Sequence, residues 1–143
     1  MKKKLVLIFS VFVTISGFSQ TIFGNWNSYD EETNKIESVI EVYEKDSKAF
    51  AKIISISDSN RSAATCVECN GKRKNAPILG MNILTGLKKD GNEWSGGKIL
   101  DPKNGKEYKC YLQLLDNNTL KLRGYIGISM FGRTAIWKRA EEN

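Results

Sequence analysis

The chain has 143 residues, of which 22 are basic and 16 are acidic, and its formal net charge is +6 at neutral pH. This length allows one domain with one hydrophobic core and is too short for two. The sequence contains no histidine, which excludes the Ser-His-Asp and Cys-His arrangements of nucleophilic catalysis.

Residues 1–20 have the organisation of a cleavable secretory signal peptide. Three lysines at positions 2–4 precede an apolar run at residues 5–15, and small or polar residues follow. The alternative is a membrane anchor, but this run is much shorter than the roughly 20 residues that a spanning helix needs. Cleavage would halve the net charge, so we predict no nucleic-acid partner. The short apolar run predicts no stable membrane insertion, and the remaining length predicts a single domain at residues 21–143.

After this segment, short runs of alternating apolar and polar residues are separated by turn-forming clusters such as Asp90-Gly91-Asn92. Alternation of this kind is typical of strands with one buried face. Short antiparallel strands form either a sandwich or an up-and-down barrel, and we favour an all-β barrel because closure removes exposed edges. The eight predicted strands lie at residues 22–28, 35–44, 48–56, 78–87, 92–100, 106–115, 118–127 and 132–139.

Cys66 and Cys69 form a Cys-x-x-Cys pair, which could be half of a zinc site, a redox dithiol or a disulfide. A structural zinc site usually needs four Cys or His ligands, and the chain has three cysteines. A redox dithiol needs a helix at its first cysteine, and no helical pattern is present there. We therefore predict a Cys66–Cys69 disulfide, with Cys110 as a buried free thiol, and neither a metal nor a cofactor.

Two further features have ordinary structural interpretations. The basic run at residues 72–74 is interpreted as a solvated loop, with a site for an anionic headgroup or polysaccharide as the alternative. The glycines near the C-terminal strands do not fit a phosphate-binding loop, because Gly97 stands where such a loop requires lysine. We interpret them as bulges and barrel corners. They are Gly96, Gly97, Gly124, Gly127 and Gly132.

Several separated motifs occur in an order that resembles a known bacterial family. They are Gly24-Asn25-Trp26, Cys66-Val67-Glu68-Cys69-Asn70-Gly71, Pro77-Ile78-Leu79-Gly80, Trp94-Ser95-Gly96-Gly97-Lys98-Ile99-Leu100-Asp101-Pro102, Gly105-Lys106-Glu107-Tyr108, Leu122-Arg123-Gly124-Tyr125-Ile126-Gly127 and Gly132-Arg133-Thr134-Ala135-Ile136-Trp137. The family is catalogued as domain of unknown function 2147. The resemblance implies an exported bacterial protein with a lipocalin-like barrel and no established activity.

An early Gly-x-Trp is also how lipocalin-type barrels begin. In those barrels the tryptophan closes one end beneath an arginine of the last strand. The resemblance therefore implies these structural roles for Trp26 and Arg139. A guanidinium over an indole face adds a cation–π interaction of about 0.5–2 kcal/mol.

Aromatic residues and two arginines in the C-terminal half are the candidates for a ligand site. Aromatic walls would cover an apolar tail, and the arginines would hold a negative group, since neither has an acidic residue in its own strand. Alternation with Leu122 leaves open that the arginines point to solvent. The predicted ligand-binding residues are Trp94, Tyr108, Arg123, Tyr125, Arg133 and Trp137.

The sequence thus predicts an exported, non-enzymatic barrel that binds a small apolar or amphipathic ligand in the periplasm or outside the cell. The alternative is an envelope interaction module, whose barrel is filled by side chains and which acts through the loop at residues 66–74. An eight-stranded barrel allows both, because its interior can be filled or can hold one small ligand.

Overall fold

The structure is a computed structural model and describes residues 20–141. The signal-peptide prediction, which depends on residues 1–19, lies outside the described residues. Each strand pairs antiparallel with its neighbours in sequence, and pairing of the last strand with the first closes the barrel. The strands are β1 (Gly24–Tyr29), β2 (Ile36–Lys45), β3 (Lys48–Ile56), β4 (Asn82–Asp90), β5 (Glu93–Asp101), β6 (Lys106–Asp116), β7 (Thr119–Tyr125) and β8 (Gly132–Arg139).

The predicted eight-stranded, all-β up-and-down barrel is confirmed. The main difference concerns β4, which was predicted from residue 78 and begins at Asn82. Residues before it belong to the β3–β4 connection, where Pro77 pairs with Thr65 and the amide of Ile78 donates to the carbonyl of Ala64. Two short 3-10 helices, Ser59–Arg61 and Gly71–Arg73, also lie in this connection. Among residues 20–141, no helix has the length and apolar character needed to cross a membrane.

Inward-facing residues fill one half of the barrel. The side chains there alternate with outward polar residues along each strand, as a strand with one buried face requires. Alanines on β3 let the larger side chains of the other strands meet across the interior. The fully buried residues of this half include Trp26, Val42, Ala49, Ala51, Leu87, Leu112 and Leu120.

Trp26 and Arg139 close this end in the arrangement that the resemblance implied. The guanidinium lies 4.0 Å from the centre of the indole ring, and the indole N–H donates to the carbonyl of Ile22 at 2.8 Å. Arg139 also donates to the carbonyls of Thr21, Phe23 and Asn117 at 2.8, 3.0 and 2.7 Å. Partial burial lowers the pKa of Arg139, and the three carbonyls compensate for lost hydration.

A disulfide joins Cys66 and Cys69, as predicted. It lies in the β3–β4 connection, where the amide of Cys66 donates to the carbonyl of Ala76 at 2.8 Å. Cys110 is a buried free cysteine, and desolvation raises the pKa of its thiol to about 12. The basic run at residues 72–74 is held against the barrel, because Arg73 donates to the Glu107 carboxylate at 2.8 Å.

The predicted bulge is present in β5. The pairing of β5 with β6 shifts between Trp94 and Gly97, and Gly96 has a φ of 84°, a conformation that side chains rarely adopt. A Cβ on Gly97 would overlap the carbonyl oxygen of Thr85 on β4. Glycine is therefore needed at both positions of the bulge.

Candidate functional site

A cavity of about 810 Å³ occupies the half of the barrel opposite Trp26. It reaches the surface between the β1–β2, β3–β4, β5–β6 and β7–β8 connections, which together form the mouth. Its walls are mostly aliphatic and aromatic. The main wall residues are Ile40, Ile53, Ile83, Ile99, Leu122 and Trp137.

The cavity exists because inward side chains become smaller toward the mouth. Along β7 the inward residues change from Leu122 to Gly124, and along β8 they change from Trp137 to Ala135. A Cβ placed on Gly124 would lie 3.8 Å from Tyr108 and at a similar distance from Ile99. The space in front of Gly124 is therefore part of the cavity.

Charged side chains surround the mouth, and its three cations are all paired with acids. The ammonium of Lys103 lies 2.7 Å from Glu37 and 4.0 Å from Asp30. The guanidinium of Arg61 lies 3.9 Å from Glu37, and Arg133 pairs with Glu31. Acids outnumber these cations among the residues that line the cavity. The acids are Asp30, Glu31, Glu32, Glu37 and Asp101.

The carboxylate of Asp30 is fixed at this mouth as an anion. The backbone amide and the hydroxyl of Thr33 donate to it at 2.8 and 3.0 Å. These hydrogen bonds lower the pKa of Asp30, and the charge of Lys103 adds a smaller contribution in the same direction. The carboxylate of Asp30 therefore keeps its charge to a lower pH than an ordinary aspartate does.

Two buried hydroxyls provide a polar point on the cavity wall. The side chains of Ser28 and Ser38 are each 8% exposed, and their oxygens lie 2.6 Å apart. Each hydroxyl has both a donor and two acceptor positions, so the pair can bond to a further polar group. The wall thus offers hydrogen bonding without charge at this point.

The structure brings together four of the six predicted ligand-binding residues. Tyr108, Tyr125, Arg133 and Trp137 all line the cavity. Trp94 does not, because it lies at the filled end, where its ring packs edge to face on Phe23 with a centroid distance of 5.3 Å. The prediction grouped the aromatic residues by their position in the chain, whereas Trp94 pairs with Leu112 of the filled half at the start of β5.

Arg123 also lies outside the cavity. Leu122 and Gly124 point inward, so alternation directs Arg123 to the outer surface. There its guanidinium donates to the carbonyls of Ser129 and Met130 at 3.0 and 3.2 Å. It therefore supports the β7–β8 loop.

The expectation that a buried, unpaired arginine would attract a negative group is wrong for Arg133. Its side chain is 73% exposed and pairs with Glu31. The prediction considered only acids in the same strand, whereas Glu31 belongs to the β1–β2 connection on the other side of the β1–β8 pairing. No desolvation cost remains for an anionic ligand to relieve.

Sequence reasoning missed the isoleucines of the wall and the two serines. The period-2 pattern of β2 and β3 indicates that Ile40 and Ile53 face inward, but it does not indicate which half of the barrel is hollow. Within residues 20–141, no three potential metal ligands of the His, Cys, Asp or Glu type form a cluster.

These features define a lipocalin-like barrel, which is closed at one end by a Trp–Arg pair and hollow at the other. The chain belongs to a family described as uncharacterized proteins conserved in bacteria, DUF2147, whose model matches residues 24–139. The resemblance noted in the sequence is thereby confirmed.

A solved structure with the same fold is protein HP1028 from the human pathogen Helicobacter pylori, which is described as belonging to the lipocalin family. The TM-score is 0.76 and the identity is 24%, and the match covers 87% of this chain and 86% of that chain. At this identity the similarity shows the fold alone. No curated protein matches the chain at a significant level.

Proposed function

We propose that the protein is a non-enzymatic binding protein that holds a small apolar or amphipathic molecule inside its barrel. The observation that carries this proposal is the apolar-walled cavity of about 810 Å³. Sites for small ligands typically enclose about 300–1,000 Å³ and have mainly apolar walls with a few polar groups. A filled interaction module, the alternative from the sequence, would not contain this space.

The charges at the mouth favour an uncharged polar group on the ligand. Lys103, Arg61 and Arg133 already pair with acids, so a carboxylate would have to displace one of these acids. It would also face the unpaired excess of negative charge. A hydroxyl has neither cost, and it can bond to Ser28 and Ser38. The proposed ligand is therefore an apolar molecule with a neutral, hydrogen-bonding end.

The assignment as a binding protein also agrees with the chemistry available in the chain. The sequence has no histidine, and the acids Glu37, Glu31 and Asp30 are engaged in ion pairs or turn hydrogen bonds. General acid–base chemistry needs a group that is free to exchange a proton with a substrate. These three acids are held by their partners and are not free in that sense.

We further propose that the protein acts in the periplasm or outside the cell after removal of residues 1–20. The signal-like pattern of that segment supports export. The Cys66–Cys69 disulfide is consistent with it, because disulfides persist mainly in oxidising compartments. Intact mass of the protein from its native host should correspond to a chain that begins near Thr21.

The ligand proposal can be tested by fluorescence titration with dodecanol and with dodecanoate, which differ only in the polar end. Trp137 lines the cavity, whereas Trp26 and Trp94 do not, so binding should change the emission of Trp137. We expect dodecanol to bind about tenfold or more tightly than dodecanoate at neutral pH, because the acidic mouth repels the carboxylate. Trp137→Phe should remove the fluorescence response.

A variant that fills the cavity provides the structural control. Gly124→Phe places a ring in the space in front of Gly124 and should abolish the response, whereas Lys121→Phe, on the outer side of the same strand, should retain it. Equal binding by Gly124→Phe and the wild type would show that the ligand lies elsewhere. Tighter binding of dodecanoate than of dodecanol would contradict the proposal that the polar end of the ligand is neutral. The cavity would still be the binding site.

A further inference from the structure

The β7–β8 loop carries an unusual group of exposed apolar side chains. Four of its six residues are large and apolar, and none is charged. These four side chains, which we call the apolar tip, are Ile126, Ile128, Met130 and Phe131, with exposed fractions of 70%, 58%, 76% and 69%. Single exposed apolar residues are ordinary, but a contiguous group on a projecting loop marks an interaction site.

The loop backbone is held in place beneath these side chains. Arg123 donates to the carbonyls of Ser129 and Met130, and the amide of Phe131 donates to the carbonyl of Ile128 at 3.1 Å. Backbone groups that are already bonded can approach an apolar medium at low cost. The loop therefore presents its apolar tip in a defined shape.

The apolar tip forms one side of the cavity mouth. Ile126 and Phe131 both line the cavity as well as being exposed. The apolar surface is thus continuous from the outside of the loop to the wall inside the barrel. Whatever covers the tip also faces the mouth.

Cations lie on the outer surface just behind the tip. Lys98 and Lys109 are exposed and are in register with each other, and Lys109 is in register with Tyr125, the residue before the tip. Arg123 lies three residues before Ile126, about 10 Å away at an antiparallel strand rise of about 3.4 Å per residue. None of these three cations forms an ion pair within the part of the chain that the structure describes.

We propose that this end of the barrel docks on a lipid bilayer that contains anionic lipids. The apolar tip inserts at the boundary between headgroups and acyl chains, to the depth of about 5–10 Å known for interfacial segments. At that depth Lys98 and Lys109 lie at the level of the lipid phosphates and attract them. Docking turns the cavity mouth toward the bilayer, where amphiphiles of low aqueous solubility are concentrated. The five acids of the mouth face the same bilayer. The three cations that pair with acids there and the three cations behind the tip outnumber them, so this end as a whole does not repel anionic headgroups.

The charges favour a bilayer over a second copy of the chain. A symmetric dimer through the tip would use the same patch on both subunits. It would therefore bring Lys98, Lys109 and Arg123 of one copy near the same cations of the other, at a cost in repulsion. Anionic lipids remove that repulsion. Docking concerns the outside of the loop, so its test does not depend on ligand binding in the cavity.

Binding to vesicles tests this proposal directly. The probes are vesicles of phosphatidylcholine alone and vesicles that also contain phosphatidylglycerol, used in a flotation assay. We expect the wild type to float with the mixed vesicles, and Met130→Ser/Phe131→Ser to bind them about tenfold or more weakly. Leu115→Ser is the matched control, because Leu115 is 51% exposed at the opposite end of the barrel, and it should bind like the wild type.

Two further variants separate insertion from general adsorption. Phe131→Trp places a reporter on the tip, and its emission should shift to the blue on mixed vesicles. Lys98→Gln/Lys109→Gln should weaken binding to the mixed vesicles and reduce their advantage over phosphatidylcholine alone. The wild type and all variants are compared with the same N-terminus, either with residues 5–15 present in all of them or with the processed end in all of them. Any contribution of this segment to vesicle binding is then equal in each.

Three outcomes would overturn the proposal. The first is equal vesicle binding by the wild type and Met130→Ser/Phe131→Ser. The second is an unchanged emission of Phe131→Trp on vesicles that retain the protein. The third is a concentration-dependent dimer, measured by sedimentation, that Met130→Ser/Phe131→Ser abolishes, because it would assign the tip to a second copy.

Discussion

Removal of the Arg139 side chain should destabilise the barrel without affecting ligand binding. In Arg139→Ala the chain loses the cation–π contact with Trp26 and three hydrogen bonds that tie the segment before β1 and the β6–β7 turn to β8. These contacts all lie at the filled end. The cavity lies in the other half.

The expected cost follows from these contacts. The cation–π contact contributes about 0.5–2 kcal/mol. Each hydrogen bond contributes about 0.5–1.5 kcal/mol net, and the lower value applies here because two of the three bonds are at exposed positions. The total is about 3 kcal/mol, which is a large part of the roughly 5–15 kcal/mol by which domains are stable. It corresponds to a decrease in Tm of roughly 10 °C for a domain of this size.

Thermal unfolding followed by circular dichroism measures this loss, with two matched variants. Arg133→Ala removes another arginine of β8, but its ion pair with Glu31 is exposed and contributes about 0–1 kcal/mol. Arg139→Lys keeps the charge without the planar group and should fall between the wild type and Arg139→Ala. The reasoning would be refuted if Arg139→Ala and Arg133→Ala lowered the Tm equally.

Two further predictions concern the bulge and the free cysteine. Gly97→Ala should destabilise the protein by about 3 kcal/mol in denaturant unfolding, because its Cβ would overlap the carbonyl of Thr85. Gly124→Ala should change stability by less than about 1 kcal/mol, because its Cβ would make ordinary van der Waals contacts with Tyr108 and Ile99. Similar losses in both variants would contradict this. Denatured, unreduced protein should show one reactive thiol, at Cys110, and the folded protein should show none at pH 8. Because burial raises the pKa of Cys110 from 9.0 to about 12, its contribution to stability is complete below pH 9 and is lost as the pH rises toward 12; a reactive thiol in the folded state would refute this.

The structural residues of the fold could be predicted from short stretches of sequence. Alternation along β6 and β7 placed both strands within a few residues of their observed bounds, because the two faces of a strand have a fixed period. The Cys66–Cys69 disulfide could be predicted from the short spacing together with the small number of other metal ligands and the absence of a helical pattern at Cys66. The start of β4 was misplaced, because Pro77 and Ile78 pair with Thr65 and Ala64 inside the β3–β4 connection and not with residues of β3.

The candidate site could be predicted only in part. Tyr108 and Trp137 lie on the inner faces of β6 and β8, as alternation along those strands requires. Tyr125 has the same parity as Arg123 and lines the cavity only because it lies at the mouth, where β7 ends. Arg123 was misplaced against the same rule, because its charge was given more weight than its position between Leu122 and Gly124.

The sequence by itself determined the class of fold and the disulfide, because these depend on local periodicity and on motifs of a few residues, and the resemblance implied the closed end. Only the tertiary structure decided that one half of the barrel is hollow, since that volume depends on the sizes of side chains from several strands at one level. It also decided the charge of the mouth. Arg133 and Glu31 are 102 positions apart in the chain and meet only when β8 pairs with β1.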